Sequence, residues 1–514
     1  MVDVTARRQL PLLAGVLIGW GLLWWLGSAM VLSDDFHGYG WPGYVINAWS
    51  AFHGIDAGYD AFRQPMHGWL LGALGEQLGS YPHAAVIVSS LSVGAMVLAA
   101  GLIAGQLGGP WAGGLAAASL AMVAQSAAAA RAANHYPLQS GLAGMAVALA
   151  LISARREGRG GWGAAALAGL LAGMAVAVDS RMAFYAAIAG AMLVVSARPG
   201  RVLSFAALAW IGPRLGDALV LPEQPMMPTA HVMALQRPVL LRWARDSRDP
   251  AMVEACASAD PSALPSLAGL QTPCAQAMWN YNVSEMFPSH FLFGVPITVA
   301  AVAVALLGWA LSRSWRDGLL GGLWLGGTAA VLVVQALWVP LPDRYLVPWA
   351  VPLATAVPIA IGRLPGRWTV ALAALAAGGW AWQADLTERH RRLAHQLNRV
   401  YALRQEARWI VADHIGEDSF LDCSGLFISV SLLPRITSPL PPQFKNNPAR
   451  CARWIASPPA RAWVAVDRAT GGHQEALQAA GWSLSYRDAS LALWQAPAYR
   501  AESEKESIGS SSTP

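Results

Sequence analysis

Residues 10–35 read LPLLAGVLIGWGLLWWLGSAMVLSDD, an apolar run from Leu10 to Leu32 closed by Ser33 and the acid pair Asp34-Asp35. A helix needs roughly 20 apolar residues to cross a bilayer, and this run supplies them. It follows Arg7-Arg8 and is longer than the core of about 7–15 residues found in a cleaved signal peptide. The reading is a retained anchor, with the N-terminus in the cytoplasm and two carboxylates emerging on the opposite face.

The same pattern recurs near 84–106, 112–129, 137–153, 162–179, 182–197, 202–220, 291–311, 318–338, 346–362 and 368–384, giving about eleven spans by the length criterion. Composition agrees: of 514 residues, 55% are hydrophobic and 13% charged, where a soluble domain carries about 25% charged residues. That shortage excludes a string of soluble domains over residues 10–380, and equally a disordered or collagen-like chain. The net charge of +5 gives no support for nucleic-acid binding, because the arginines sit in short loops and form no basic stripe. Lys445 and Lys505 are the lysines; every earlier basic residue is Arg. Arg7, Arg8, Arg155, Arg156, Arg159, Arg198, Arg201, Arg313, Arg316, Arg363 and Arg367 fall in alternate loops, as cytoplasmic loops do under the positive-inside rule. The expected location is therefore an integral multi-pass protein of the inner (cytoplasmic) membrane.

Three regions lie outside the spans. The loops 33–83 and 222–290 are expected on the outer side. The segment 385–499 alternates short apolar runs such as SFLDC and AWVAVD with helix-like HQEALQAAG, which suggests a small α/β domain. Residues 500–514 read as a disordered tail. The fold expectation is thus a mainly α polytopic domain over 1–384 with an outer C-terminal α/β domain. Cys256 and Cys274 fall in one outer loop, Cys423 and Cys451 in the C-terminal segment, all on the side where disulfides form. Two local bridges are the simplest pairing; four free thiols are the alternative.

The chemistry-bearing residues cluster on that outer side. Asp34 and Asp35 stand at the membrane boundary, where like charge and partial desolvation raise a carboxyl pKa toward general-base strength; His37 follows. Arg63-Gln64-Pro65-Met66-His67 places a guanidinium at headgroup depth, where its planar fork suits a phosphate. Arg131-Ala-Ala-Asn134-His135-Tyr136-Pro137 gathers polar groups between apolar helices. Asp179-Ser180-Arg181 reads as a local salt bridge, and Arg344-Tyr345 as an interfacial anchor or a phosphate clamp. No Walker A sequence, strand-linked GxGxxG or HExxH occurs, the Cys spacing does not suit zinc, and Asn282-Val-Ser284 is a formal glycosylation sequon.

An acid pair after the first span, a basic-x-Pro motif ending a long outer loop, and a late Arg-Tyr-x-x-Pro opening a further span resemble the GT-C glycosyltransferases, in particular the protein O-mannosyltransferase and lipid A aminoarabinose transferase group. The carrying residues are Asp34-Asp35, Arg63-Gln64-Pro65-Met66 and Arg344-Tyr345-Leu346-Val347-Pro348. The resemblance implies a sugar moved with inversion from a polyprenyl-phosphate carrier to an acceptor hydroxyl of a lipid, glycan or protein at the outer face. It implies Asp34 as base beside Asp35. It implies Arg63, Arg131 or Arg344 on the donor phosphate, with Tyr345 beside Arg344; His37, His67, Asn134 and His135, polar groups on the same outer side, are the candidate substrate-binding residues. The pattern departs in Asp35, where Glu is commoner, in the single Pro65, and in the absence of an acid from 131–137. No residue pattern supports a divalent cation or other cofactor. A transporter or lipid flippase is the alternative class, although such proteins tend to carry midplane charges and inverted repeats, neither of which is evident.

Overall fold

A computed structural model describes residues 10–21, 45, 48–49, 52–53, 65–122, 135–196, 198–218, 250–257, 272–286, 295–310, 315–338, 347–363, 414–415, 419–423, 448–458, 461–467, 473–487 and 491–497. The expected spans end or begin outside these residues in several places, and the one at 368–384, the polar stretch 386–411 and the tail 500–514 lie outside them altogether. Contacts divide the chain into two units, one of Met1–Met30, Ala61–His67 and Val86–Ala394, the other of Val31–Asp60, Gly68–Ala85 and His395–Pro514.

The helices are α1 (Leu10–Gly21), α2 (Pro65–Leu78), α3 (Tyr81–Gly108), α4 (Pro110–Met122), α5 (Tyr136–Arg155), α6 (Arg159–Val178), α7 (Ala183–Val195) and α8 (Pro199–Ala218). There follow α9 (Pro250–Ala257), α10 (Pro273–Tyr281), α11 (Val295–Ala310), α12 (Trp315–Trp338) and α13 (Ala350–Arg363). Among the described residues, four stretches are long and apolar enough to cross a membrane: His83–Gly108, Tyr136–Arg155, Arg159–Val178 and Trp315–Ala336. Leu10–Gly21, Ala183–Val195 and Val347–Arg363 are shorter apolar helices.

Small residues let these helices pack where lipid offers no hydrophobic drive. On α6, Gly169 and Gly173 lie one turn apart against α8: a Cβ on Gly169 would stand 2.3 Å from the Phe205 carbonyl oxygen, and one on Gly173 2.4 Å from that of Ala209. Only a bare backbone fits there. The two helices touch as ridge on ridge of main chain.

Short connections between α5 and α6, α7 and α8, and α11 and α12 put their joined ends at one end of the bundle, and the arginines expected in alternate loops gather there. Arg201 donates to the carbonyls of Ser153, Arg156 (2.7 Å) and Gly158 (3.2 Å). Arg316 donates to Ala154 O at 2.7 Å, Arg363 to Leu107 O at 2.6 Å, and Arg155 to Asp317 at 2.6 Å and to Gln106 O. The last carbonyls of a helix have no intrahelical partner, and a guanidinium meets several at once. These arginines therefore close helix C-termini as well as carrying charge. Trp111, Trp162 and Trp315 are exposed in the first turns of α4, α6 and α12 at this same end, the usual place for interfacial tryptophan.

The second unit holds a four-stranded sheet of β1 (Ser419–Cys423), β2 (Ala462–Asp467), β3 (Ser483–Arg487) and β4 (Leu491–Gln495), ordered β1-β2-β4-β3. The β1-β2 pair is parallel and the others antiparallel. Two helices, α14 (Pro448–Ala456) and α15 (Gln474–Ala479), connect the strands. Parallel neighbours need a crossover, and α14 lies in it. Leu421, Ile455, Val464, Val466, Leu477 and Trp494 form the core, and the Trp482 indole donates to Ile455 O at 2.9 Å. Cys423 on β1 is joined to Cys451 on α14, and Cys256 to Cys274. Closing a 28-residue loop stabilises by about 3–4 kcal/mol through lost unfolded-state entropy. A Cys423→Ser/Cys451→Ser protein is expected to lose about that much, read as protease cleavage of the C-terminal segment at milder denaturant while the membrane unit stays intact.

Candidate functional site

The end of the bundle opposite the arginines brings together residues from four separated segments. α5 starts at Tyr136-Pro137, where proline's missing N–H falls among donors left unpaired at any helix start, and His135 is its N-cap. α6 ends at Val178, with Asp179 as an extended C-cap, followed by a 3-10 turn, Ser180–Met182. Proline at position 65 opens α2 and sets His67 on its first turn. The 3-10 turn Val347–Trp349 leads into α13.

Asp179 is the centre of this arrangement. It is 3% exposed, so its charge needs partners. The Arg181 backbone N–H donates to Oδ1 at 2.9 Å, and Arg181 Nε donates to Oδ1 at 3.0 Å and Oδ2 at 2.9 Å. Arg181 Nη2 also bonds Oδ2. His135 Nε2 lies 3.4 Å from Oδ2. Burial pushes the Asp179 carboxyl up, but the Arg181 guanidinium and the His135 hydrogen bond outweigh it and hold the carboxyl well below the usual carboxylate range. An ionised carboxylate only accepts, so the His135 nitrogen facing it carries the proton; in the neutral ring Nδ1 is then the acceptor. The His67 ring, itself buried, stands edge-on to His135 with centroids 6.2 Å apart. His135 lies against Tyr136 at 4.3 Å, and the Arg181 guanidinium lies 5.6 Å from the Tyr136 ring centre.

A second set of contacts fixes the neighbouring segment. Tyr185 donates its hydroxyl to Pro348 O at 2.5 Å. Phe184 stacks on Trp349 at 5.0 Å, and the Trp349 indole donates to Gln335 at 3.0 Å. Residues 179–185 are thereby tied to the turn that directly follows Arg344-Tyr345-Leu346. Asn282 of the sequon is fully buried and donates from Nδ2 to Ala336 O at 2.8 Å. Its amide holds the end of α12, which leaves it no access for glycosylation.

Of the residues singled out in the sequence, His67 and His135 meet here. Asp34, Asp35, His37, Arg63, Arg131, Asn134, Arg344 and Tyr345 lie outside the described residues. Asp179 and Arg181 do form the local bridge their spacing suggests, and Asp179 also reaches His135 across 44 residues. The available signal was an acid ending an apolar helix, where an unpaired charge is costly. Among the described residues no three His, Cys, Asp or Glu side chains gather as a metal site requires.

No protein-family model matches the chain, and no curated protein sequence matches it. Solved structures do. ArnT from Cupriavidus metallidurans bound to undecaprenyl phosphate aligns at TM-score 0.59 with 13% identity, over 96% of this chain and 98% of that one. The apo form of the same protein aligns at 0.50 with 12% identity, over 96% and 99%. The oligosaccharyltransferase AglB from Archaeoglobus fulgidus, in complex with an inhibitory peptide and a dolichol-phosphate, aligns at 0.47 with 13% identity, over 91% of this chain and 70% of that one. The chain is thus a multi-pass membrane protein whose fold resembles that of the GT-C glycosyltransferase ArnT along nearly its whole length.

Proposed function

We propose that the chain is a membrane glycosyltransferase that takes a sugar from a polyprenyl-phosphate carrier and places it on an acceptor hydroxyl at the outer face. The observation that carries this is the likeness in fold to an ArnT structure holding undecaprenyl phosphate, spanning both chains almost end to end. The segregation of polar groups supports it: arginines bound to helix ends on one side, a His-Asp-Arg cluster around the buried Asp179 on the other.

In this reading the N-terminus and the arginine end face the cytoplasm. About eleven helices cross the membrane, and residues 385–499 form an outer domain. The acceptor oxygen attacks the anomeric carbon from the side opposite the carrier, the bond from that carbon to the phosphate oxygen breaks, and polyprenyl phosphate leaves with its electron pair. Asp34 takes the hydroxyl proton, with Asp35 beside it. Arg63, Arg131, Arg344 and Tyr345 meet the charge growing on the departing phosphate. His37, His67, Asn134 and His135 line the sugar and acceptor, and Asp179 orients His135. Donor charge is met by fixed donors in a site with little water, where such interactions count most.

Mass spectrometry of glycolipids, glycans and proteins from a deletion strain tests this in the cell. Loss of one sugar from one acceptor class is expected, restored by the wild-type gene and not by Asp34→Asn. An unchanged set of glycans contradicts the reading.

A further inference from the structure

Gln139 lies on α5 one turn inward from His135, in the stretch Tyr136-Pro137-Leu138-Gln139-Ser140. Its side chain is fully buried. Neither Oε1 nor Nε2 has a hydrogen-bond partner among the described residues. Its backbone N–H is already committed to His135 O at 3.1 Å. Other buried polar side chains on this helix are satisfied: Ser140 donates to Tyr136 O and Ser153 to Gly161 O, each at 2.6 Å. A carboxamide carries two donors and a two-lone-pair acceptor. Burying it unmet is a standing cost that leucine would remove.

The amide's chemistry selects its partner. A phosphate accepts only and would leave Oε1 unmet; a polyprenyl tail offers neither donor nor acceptor. A hydroxyl does both, so a neutral polyhydroxyl group satisfies the two ends together. The place is one helical turn, about 5 Å, from the His135–Asp179 pair.

We propose that Gln139 is a sugar-recognition residue, whose carboxamide hydrogen-bonds a hydroxyl of the carrier-linked sugar. This deepens the glycosyltransferase reading and rests on it. Gln139 then distinguishes the loaded carrier from the spent one: the loaded form meets both ends of the amide, and bare polyprenyl phosphate leaves Oε1 unmet.

The test is binding to the purified full-length protein in nanodiscs. The probes are undecaprenyl phosphate alone and undecaprenyl phosphate bearing mannose, glucose, galactose or aminoarabinose. Wild type is expected to bind its preferred sugar-bearing carrier more tightly than the bare one. Gln139→Leu is expected to fold, to bind the bare carrier like wild type, and to lose about tenfold in affinity for the loaded one, the worth of roughly one hydrogen bond. Gln139→Glu, which keeps an acceptor, should fall between. A Gln139→Leu protein that keeps the full preference for the loaded carrier overturns the assignment, as does a wild type that gains nothing from any sugar. Failure of wild type to bind even the bare carrier contradicts the glycosyltransferase reading itself, and is told apart by that result.

Discussion

With Asp34 as the proposed general base, replacing it by Asn is expected to lower sugar transfer by about 10²–10⁴-fold, the usual worth of such a group, and to leave the protein folded. The amide keeps the size and one acceptor of the carboxylate but cannot take the acceptor's proton. The loss should fall on kcat, since the substitution leaves the proposed phosphate clamp and sugar contacts in place. Measured by release of undecaprenyl phosphate in nanodiscs, a variant within threefold of wild type removes Asp34 from the role. Asp35→Asn separates the two acids: a smaller loss there assigns the proton to Asp34, and an equal loss makes the two a coupled pair.

Asp179→Ala is the largest expected effect on stability. Removing one partner of a buried ion pair typically costs about 3–5 kcal/mol, because the other charge is left uncompensated. Here Arg181, with its side chain 22% exposed, and His135 both lose the Asp179 carboxylate. Asp179→Asn keeps an acceptor and should cost less. The expected readout is a lower unfolding midpoint in detergent, with the order wild type, Asn, Ala. The pH dependence follows from the depressed carboxyl. Its folded pKa lies below the unfolded value of about 3.9, so the stabilisation is fully present above that pH and is lost as pH falls toward the folded value. Stability should therefore hold from neutral pH to about pH 4 and decline below it. Flat stability through pH 3, or an Ala variant as stable as wild type, contradicts the assignment.

The membrane character was legible because charge is scarce: Arg155, Arg201, Arg316 and Arg363 stand out against apolar surroundings, and the length of the apolar runs marks candidate helices between them. What they bond was not legible. That Arg201 closes the carbonyls of Ser153, Arg156 and Gly158 depends on how α5, α6 and α8 pack, which no local pattern encodes. The same limit hid Asp179. Its sequence neighbour Arg181 gave a sufficient local explanation, and its second partner, His135, comes from another loop. Tyr185 reaches Pro348 over 163 residues, and Gln139 was one amide in an apolar helix until burial showed both its ends unmet. In each case the missing information was how distant segments pack. The sheet was easier to read: strands as short as AWVAVD carry the β-branched and aromatic bias of their class, and β2 is buried at Trp463 and Val464 alike, as a central strand should be.

The proposed substrate is a carrier-linked sugar. Purified protein in nanodiscs, given undecaprenyl phosphate loaded with a radiolabelled sugar together with a membrane-envelope extract as acceptor source, tests it most directly. Label is expected to move to a non-carrier product with release of undecaprenyl phosphate, about 10²–10⁴-fold more slowly in Asp34→Asn. Movement of intact labelled carrier from one leaflet to the other, with no sugar released from it, contradicts glycosyl transfer and leaves a lipid transporter in its place.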